Sequence, residues 1–131
     1  MIKKSTDRAN AVFVSGGMSG LGRALASEYV QRGANIAIFD LQVNDDVVEQ
    51  LGSFRSVVSQ KIVAYAASVT DCGALTSAVE QAVLEIGNPE LAINCAGIQR
   101  AHPFDQLSSD QFEQVVQVNL VGSRNFAAAV V

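Results

Sequence analysis

Four glycines fall within eight positions in Ser15-Gly16-Gly17-Met18-Ser19-Gly20-Leu21-Gly22. The stretch follows an apolar run, Ala11-Val12-Phe13-Val14, and leads into a helical pattern. Glycines so placed let a backbone turn sharply and come close to another group. The group suited to the start of a helix is a pyrophosphate, held by free N–H groups and the positive end of the helix dipole. Eighteen residues after Gly22, Asp40 ends a second apolar run, Ile36-Ala37-Ile38-Phe39. A carboxylate there can accept hydrogen bonds from the ribose hydroxyls of an adenine nucleotide. The two features together predict dinucleotide binding more strongly than either alone.

The elements that must position these residues alternate. Ala11–Ser15 reads as a strand. Residues 20–32 read as a helix, with Leu21, Ala24, Leu25 and Tyr29 at helical spacing and Gly33 as its stop. Strands are expected at Asn35–Asp40, 61–67 and 91–94. A helix is expected within 45–56, weakened by Gly52, and another at 71–86, with Leu75, Val79, Ala82, Val83 and Ile86 on one face. Gly87-Asn88-Pro89 ends that helix. Residues 96–103 form a loop, and Ser108 with Gln111 suits a capping box opening a long helix into the tail. Alternation of this kind predicts an α/β fold: a doubly wound parallel sheet of four strands in order 3-2-1-4, with two helices on each face. The strands are apolar on successive residues, as covered sheets require. Residues 1–10 are polar and expected to be loosely held; residues 11–131 form the one domain.

Of 131 residues, 49% are apolar, enough for a packed core, and the net charge is −4. The nine basic residues are scattered, which argues against nucleic-acid binding. Met1-Ile2-Lys3-Lys4 opens like a signal peptide, but the apolar run that follows is too short for one and far short of the ~20 residues that span a bilayer. A cytoplasmic protein is expected. Cys72 and Cys95 form no C-x-x-C pair and His102 is the only histidine, so two ordinary thiols and no metal are expected. His102, beside Pro103, reads as a solvated loop residue.

With these features in place, the chain resembles the short-chain dehydrogenase/reductase family over residues 11–131. The opening turn is similar to that family's T-G-x-x-x-G-x-G, with Ser15 in place of the threonine. Asn94-Cys95-Ala96-Gly97 is similar to its N-N-A-G after the fourth strand, with Cys95 replacing the second asparagine. Val118-Asn119-Leu120-Val121-Gly122 is similar to the segment that carries its helical asparagine. The resemblance implies a nicotinamide cofactor held by Ser15, Gly16, Met18, Ser19, Gly20, Leu21 and Gly22 at the turn. Asp40 would bind the adenosine ribose and repel a 2′-phosphate. No basic residue stands at Met18, Ser19 or Leu41 to welcome that phosphate, so NAD is expected over NADP. Ser68-Val69 stands where the family has an aspartate and then an apolar residue, against the adenine; a plain loop-opening serine is the other reading. Asn94 would brace the turn after the fourth strand, while Ala96 and Gly97 leave room for the nicotinamide ribose. Cys95 reads as packing rather than nucleophile.

Asn119 is an amide inside an apolar helical stretch, where burial without a partner costs ~1–3 kcal/mol. In the family the corresponding asparagine perturbs its helix and holds a water linked to the catalytic lysine, which makes Asn119 the one catalytic candidate. A merely tolerated helix asparagine is the alternative. The family's serine and Y-x-x-x-K are missing: Gly33 and Val69 stand four positions after Tyr29 and Tyr65, the only tyrosines. The expected function is therefore the cofactor-binding half of an oxidoreductase acting on an alcohol or carbonyl, inactive alone. The uncapped apolar tail from Phe126 to Val131 suits a fragment. The alternative is a non-catalytic NAD(H)-binding sensor or partner-binding module. The open strand edge at 91–94 and the stripe Phe112, Val115, Val116, Val118, Leu120 and Phe126 predict self-association.

Overall fold

The structure, a computed structural model, describes residues 10–131; the N-terminal segment expected to be loose lies almost wholly outside them. The elements run β1 (Ala11–Ser15), α1 (Gly20–Gln31), β2 (Asn35–Asp40), α2 (Asp45–Ser53), β3 (Ile62–Ala66), α3 (Cys72–Ile86), β4 (Pro89–Asn94), α4 (Ser109–Val116), a π-helical segment (Gln117–Val121) and α5 (Gly122–Val130). The four strands form one sheet in the order β3-β2-β1-β4, and every neighbouring pair is parallel.

Successive residues of β1 and β2 feed opposite layers, so both strands are apolar throughout. Val12, Val14, Ile36 and Ile38 pack with Ala26 and Val30 of α1 and with Val47 and Leu51 of α2. Phe13, Ala37 and Phe39 pack on the other face with Leu75, Val79 and Ala82 of α3 and Phe126 of α5. Phe39 is the hub of that layer: its ring lies 5.5 Å from Phe13, 5.7 Å from Tyr65 and 5.9 Å from Phe126.

Local chemistry sets the ends of the elements. Asn44, Asp71 and Ser108 each cap a helix by accepting a backbone N–H, and Ser108 with Gln111 completes the capping box. At the end of α1, Gly33 takes φ +92. Its N–H donates to the Val30 carbonyl and that of Ala34 to the Tyr29 carbonyl, the paired bonds of a Schellman stop. β4 starts at Pro89, two residues earlier than the apolar run suggests, because Pro89 still pairs with Ala11 and a first strand residue needs no ladder donor on both sides.

The inward face of α1 differs from the expected one. Gly22, Ala26 and Val30 are buried, while Leu21 is 69% exposed and Ala24 is exposed too. The helix lies so near the β1 turn that a Cβ at Gly22 would stand 2.2 Å from the Gly16 carbonyl oxygen. Small residues therefore take the contact, and the larger Leu21 turns outward.

Candidate functional site

A cleft of about 500 Å³ lies at the carboxyl ends of the strands. There the chain leaves β1 for β2 on one side, and β4 flanks β1 on the other. Such a switch point leaves a crevice because successive connections diverge to opposite faces.

The glycine turn builds one wall. Gly16 has φ +66, and its N–H donates to the Phe39 carbonyl at 2.7 Å. A Cβ there would stand 2.7 Å from the Ala96 nitrogen, so this glycine lets the β1 turn touch the β4 turn. Gly20 has φ +52 with open space beyond its α-carbon. Ser19 is the N-cap of α1, yet its side chain makes no capping bond, unlike the caps of α2, α3 and α4. The first-turn N–H groups of α1 thus meet the cleft without a side-chain acceptor.

Asp40 stands at the rim. One carboxylate oxygen accepts from the Met18 N–H at 2.9 Å and the other from the Leu41 N–H at 2.8 Å. These bonds fix the group while leaving each oxygen a further lone pair. Among the described residues, no basic side chain lines the cleft.

The floor is a chain of side-chain hydrogen bonds. Buried Ser15 donates its hydroxyl to the Asn94 side-chain amide oxygen and accepts from the Ala96 N–H at 3.3 Å. Asn94 donates to the Ser123 hydroxyl at 2.7 Å, which donates to the Asn119 main-chain carbonyl at 2.5 Å. The Asn119 side chain accepts from the Ile98 N–H and donates to the Ile98 carbonyl, both at 2.8 Å. The amide that the sequence left seeking a partner thus grips the loop after β4 from within the π-helical segment.

The β3 end completes the cleft. Val69 is buried against Gly122, where a Cβ would stand 2.5 Å from a Val69 methyl. Its carbonyl accepts from buried Asn125 at 2.9 Å. The Ser68 and Thr70 hydroxyls are 2.8 Å apart, and the Thr70 N–H donates to the Ser68 oxygen at 3.2 Å.

Of the residues expected to hold a cofactor, Gly16, Ser19, Gly20, Leu21, Gly22, Asp40, Leu41, Ser68, Val69, Asn94, Ala96 and Gly97 line this one cleft. Ser15 and Met18 do not reach its surface: Ser15 is the fully buried end of the floor's hydrogen-bond chain, and the Met18 side chain packs into the α1–α2 layer. Asn119 is exposed and is not among the residues lining the cleft; its side-chain oxygen lies against Gly97, 3.4 Å from where a Cβ there would stand. Ser123 and Asn125 are missing from the sequence reading. Their signal was present: polar side chains on a tail helix read only for its apolar stripe.

Cys95 lines the cleft, and burial pushes its thiol pKa up, which keeps it protonated. Cys72 is an exposed thiol. His102 meets Gln111 at 3.3 Å, outside the cleft. Among the described residues, no group of three or more His, Cys, Asp or Glu is placed to hold a metal, and no helix is long and apolar enough to cross a membrane.

Comparison with known proteins matches residues 10–131 to the model of a family described as short chain dehydrogenase. A D-threitol dehydrogenase of Mycolicibacterium smegmatis is 31% identical over 119 residues, covering 89% of this chain and 44% of that protein. The solved structure of an NAD+-bound xylitol dehydrogenase superposes with a TM-score of 0.81 at 26% identity, over 94% of this chain and 47% of its own. A 3-oxoacyl-(acyl-carrier protein) reductase of Brucella melitensis in complex with NAD shares the fold, with a TM-score of 0.85 at 22% identity over 94% and 48% of the two chains. The chain therefore spans about half the length of these proteins, or slightly less.

Proposed function

The chain belongs to the short-chain dehydrogenase family, and from that premise we propose that its cleft binds NAD(H) in preference to NADP(H), as the cofactor-binding half of an oxidoreductase. The observation that carries the proposal is the α1 N-terminus, open to a 500 Å³ cleft with the Asp40 carboxylate fixed at its rim. The residues fit such a ligand. The first-turn N–H groups at Gly20–Gly22 suit a pyrophosphate. The spare lone pairs of Asp40 suit ribose hydroxyls. The apolar patch of Leu41, Ala67 and Val69 suits an adenine, and the Ala96–Gly97 side suits the nicotinamide ribose. The two NAD-bound structures similar to this chain support the same ligand class.

When bound, the cofactor supplies or accepts hydride at the carbon of an alcohol or carbonyl substrate. The chain's own residues bind and orient. Asp40 opposes a 2′-phosphate by like charge, with no basic neighbour lining the cleft to offset it. Asn119 holds Ile98 from both ends of its amide and so positions the loop on the nicotinamide side. The chain holds no Y-x-x-x-K, so it is expected to bind cofactor without turning over an alcohol or ketone. A small alcohol or carbonyl becomes a substrate only in a complete enzyme. A second reading is a non-catalytic NAD(H)-binding module. The nucleotide sequence flanking the gene, searched for a serine strand and Y-x-x-x-K, separates the two. The cytoplasm, where NAD(H) is plentiful, is the proposed location.

Fluorescence titration tests the assignment. NADH is expected to bind about tenfold tighter than NADPH, ~1.4 kcal/mol, and Asp40→Ala to narrow that gap. Equal affinities in the parent chain would remove Asp40 from the site. An assay of the purified 131-residue chain with NAD(H) is expected to give no dehydrogenase turnover, and any substrate converted would refute that expectation.

A further inference from the structure

The β3 end of the cleft carries a hydrogen-bonding pattern that bears on which nucleobase the site accepts. This inference rests on the NAD(H) reading above. With a pyrophosphate at α1 and a ribose at Asp40, the base lies beyond Asp40, toward β3. The Ala67 N–H donates to the Asp40 carbonyl at 2.8 Å, so the ends of β2 and β3 are tied side by side there. The surface offered to the base is apolar at Leu41, Ala67 and Val69, with Ser68 the hydrogen-bonding side chain among them.

The protons of the Ser68–Thr70 pair decide what Ser68 can offer. The two hydroxyls are 2.8 Å apart, and the Thr70 N–H already donates to the Ser68 oxygen. One hydroxyl proton fills the bond between them. If Ser68 donates it, the Ser68 oxygen keeps one lone pair and acts as an acceptor. If Thr70 donates it, the Ser68 oxygen accepts twice and its own proton is released for donation. Rotating two hydroxyls exchanges the states. A carboxylate at the same place would only accept. Adenine presents an amino donor at its sixth position and an acceptor at N1; hypoxanthine reverses both, with a carbonyl acceptor at the sixth position and an N–H donor at N1.

We propose that the Ser68–Thr70 pair makes the base end of this cleft indifferent between a 6-amino and a 6-oxo purine, so that the chain takes the hypoxanthine analogue of NADH about as well as NADH. Ser68 is the specificity-determining residue. Among the described residues, no charged side chain other than Asp40 lines the cleft to impose a choice.

The test titrates the full chain with NADH and with reduced nicotinamide hypoxanthine dinucleotide, following nicotinamide fluorescence. The two dissociation constants are expected to agree within about threefold. Ser68→Asp is expected to shift their ratio toward NADH by about tenfold or more, because a carboxylate accepts from the amino group and repels the carbonyl. Ser68→Asn, whose amide both donates and accepts, is expected to keep the parent ratio and serves as the folding control. The inference is overturned if the parent prefers NADH by tenfold, or if folded Ser68→Asp keeps the parent ratio, which would place the base out of reach of residue 68. Tight NADH binding with either of those results sinks this inference alone. If neither dinucleotide binds the parent chain, the NAD(H) reading falls with it.

Discussion

Two glycines of one turn illustrate how differently the same residue type can be required. Gly22 is required by space: a Cβ there would meet the Gly16 carbonyl oxygen at 2.2 Å, a backbone atom that cannot step aside. Gly20 is required by its backbone angle, φ +52, with nothing within 4 Å. Gly22→Ala is therefore expected to destabilise by about 2–3 kcal/mol as an overpacked contact. Gly20→Ala is expected to cost only about 1–2 kcal/mol, the left-handed penalty of a side chain. Thermal denaturation of both variants checks the order, and a larger loss at Gly20 would contradict it. The spacing of these glycines was legible in the sequence because the βα turn is local. The partner of Asn119 was not. Its amide visibly needed one, but the partner is the main chain of Ile98, 21 residues away, and main-chain groups carry no sequence signal. Ser123 and Asn125 are visible as polar side chains on an apolar tail helix, but their partners are again main-chain groups, the carbonyls of Asn119 and Val69.

At the scale of elements, the strands were legible almost to the residue, since each is a short apolar run bounded by polar or turn residues. The capping box at Ser108 and the stop at Gly33 were equally local. The inward face of α1 was misjudged because close packing there selects small residues, and periodicity alone counts the largest as buried. The π-helical segment left no mark in the pattern. Gln60, in the loop before β3, was also silent. It is buried and ties α1 to that loop, donating to the Val30 and Ala34 carbonyls while accepting from Ser56 and Val57. A contact between β3 and α3 gives a prediction. The Tyr65 hydroxyl donates to the Glu85 carboxylate at 2.6 Å. Burial first, then that bond and its charge, push the Tyr65 pKa well above the ordinary 10.0. As pH rises past 10, the unfolded chain gives up this proton while the folded chain keeps it. The folded state then binds more protons, and stability falls with rising pH. Melting temperature is expected to drop above pH 10, and Tyr65→Phe to make that drop shallower. Parallel slopes for the two proteins would show that Tyr65 does not contribute.

Taken whole, the molecule has a well-covered centre and a bare flank. β4 is an outer strand with Leu91 and Ala92 exposed. Beyond it, Phe112 is 58% and Leu120 67% exposed, whereas Phe126 of the same expected stripe is buried in the core. Unpaired strand edges and apolar patches invite association. The 131-residue chain is expected to self-associate, with sedimentation coefficients rising across a concentration series, and Leu120→Lys to lessen the effect. A monomer at every concentration would mean that this flank is tolerated in water. The topology followed from the order of elements, but the exposure of this flank depends on how α4 and the π-helical segment sit, which no single stretch encodes.

The pairing of Ser15 with Asn94 across β1 and β4 also sets a timetable for synthesis. The β1–α1–β2 unit is complete once Asp40 has emerged, yet the floor of the cleft cannot begin to form until residue 94 follows. At roughly 5–20 residues per second on the ribosome, the open side of β1 waits several seconds for its partner. During that interval another nascent chain's strand can take the place reserved for β4. Ligand cannot guard against this, because the site that would bind it does not yet exist. Slower translation between residues 40 and 94 should therefore lower the yield of correctly assembled chain, even though the finished sequence is the same.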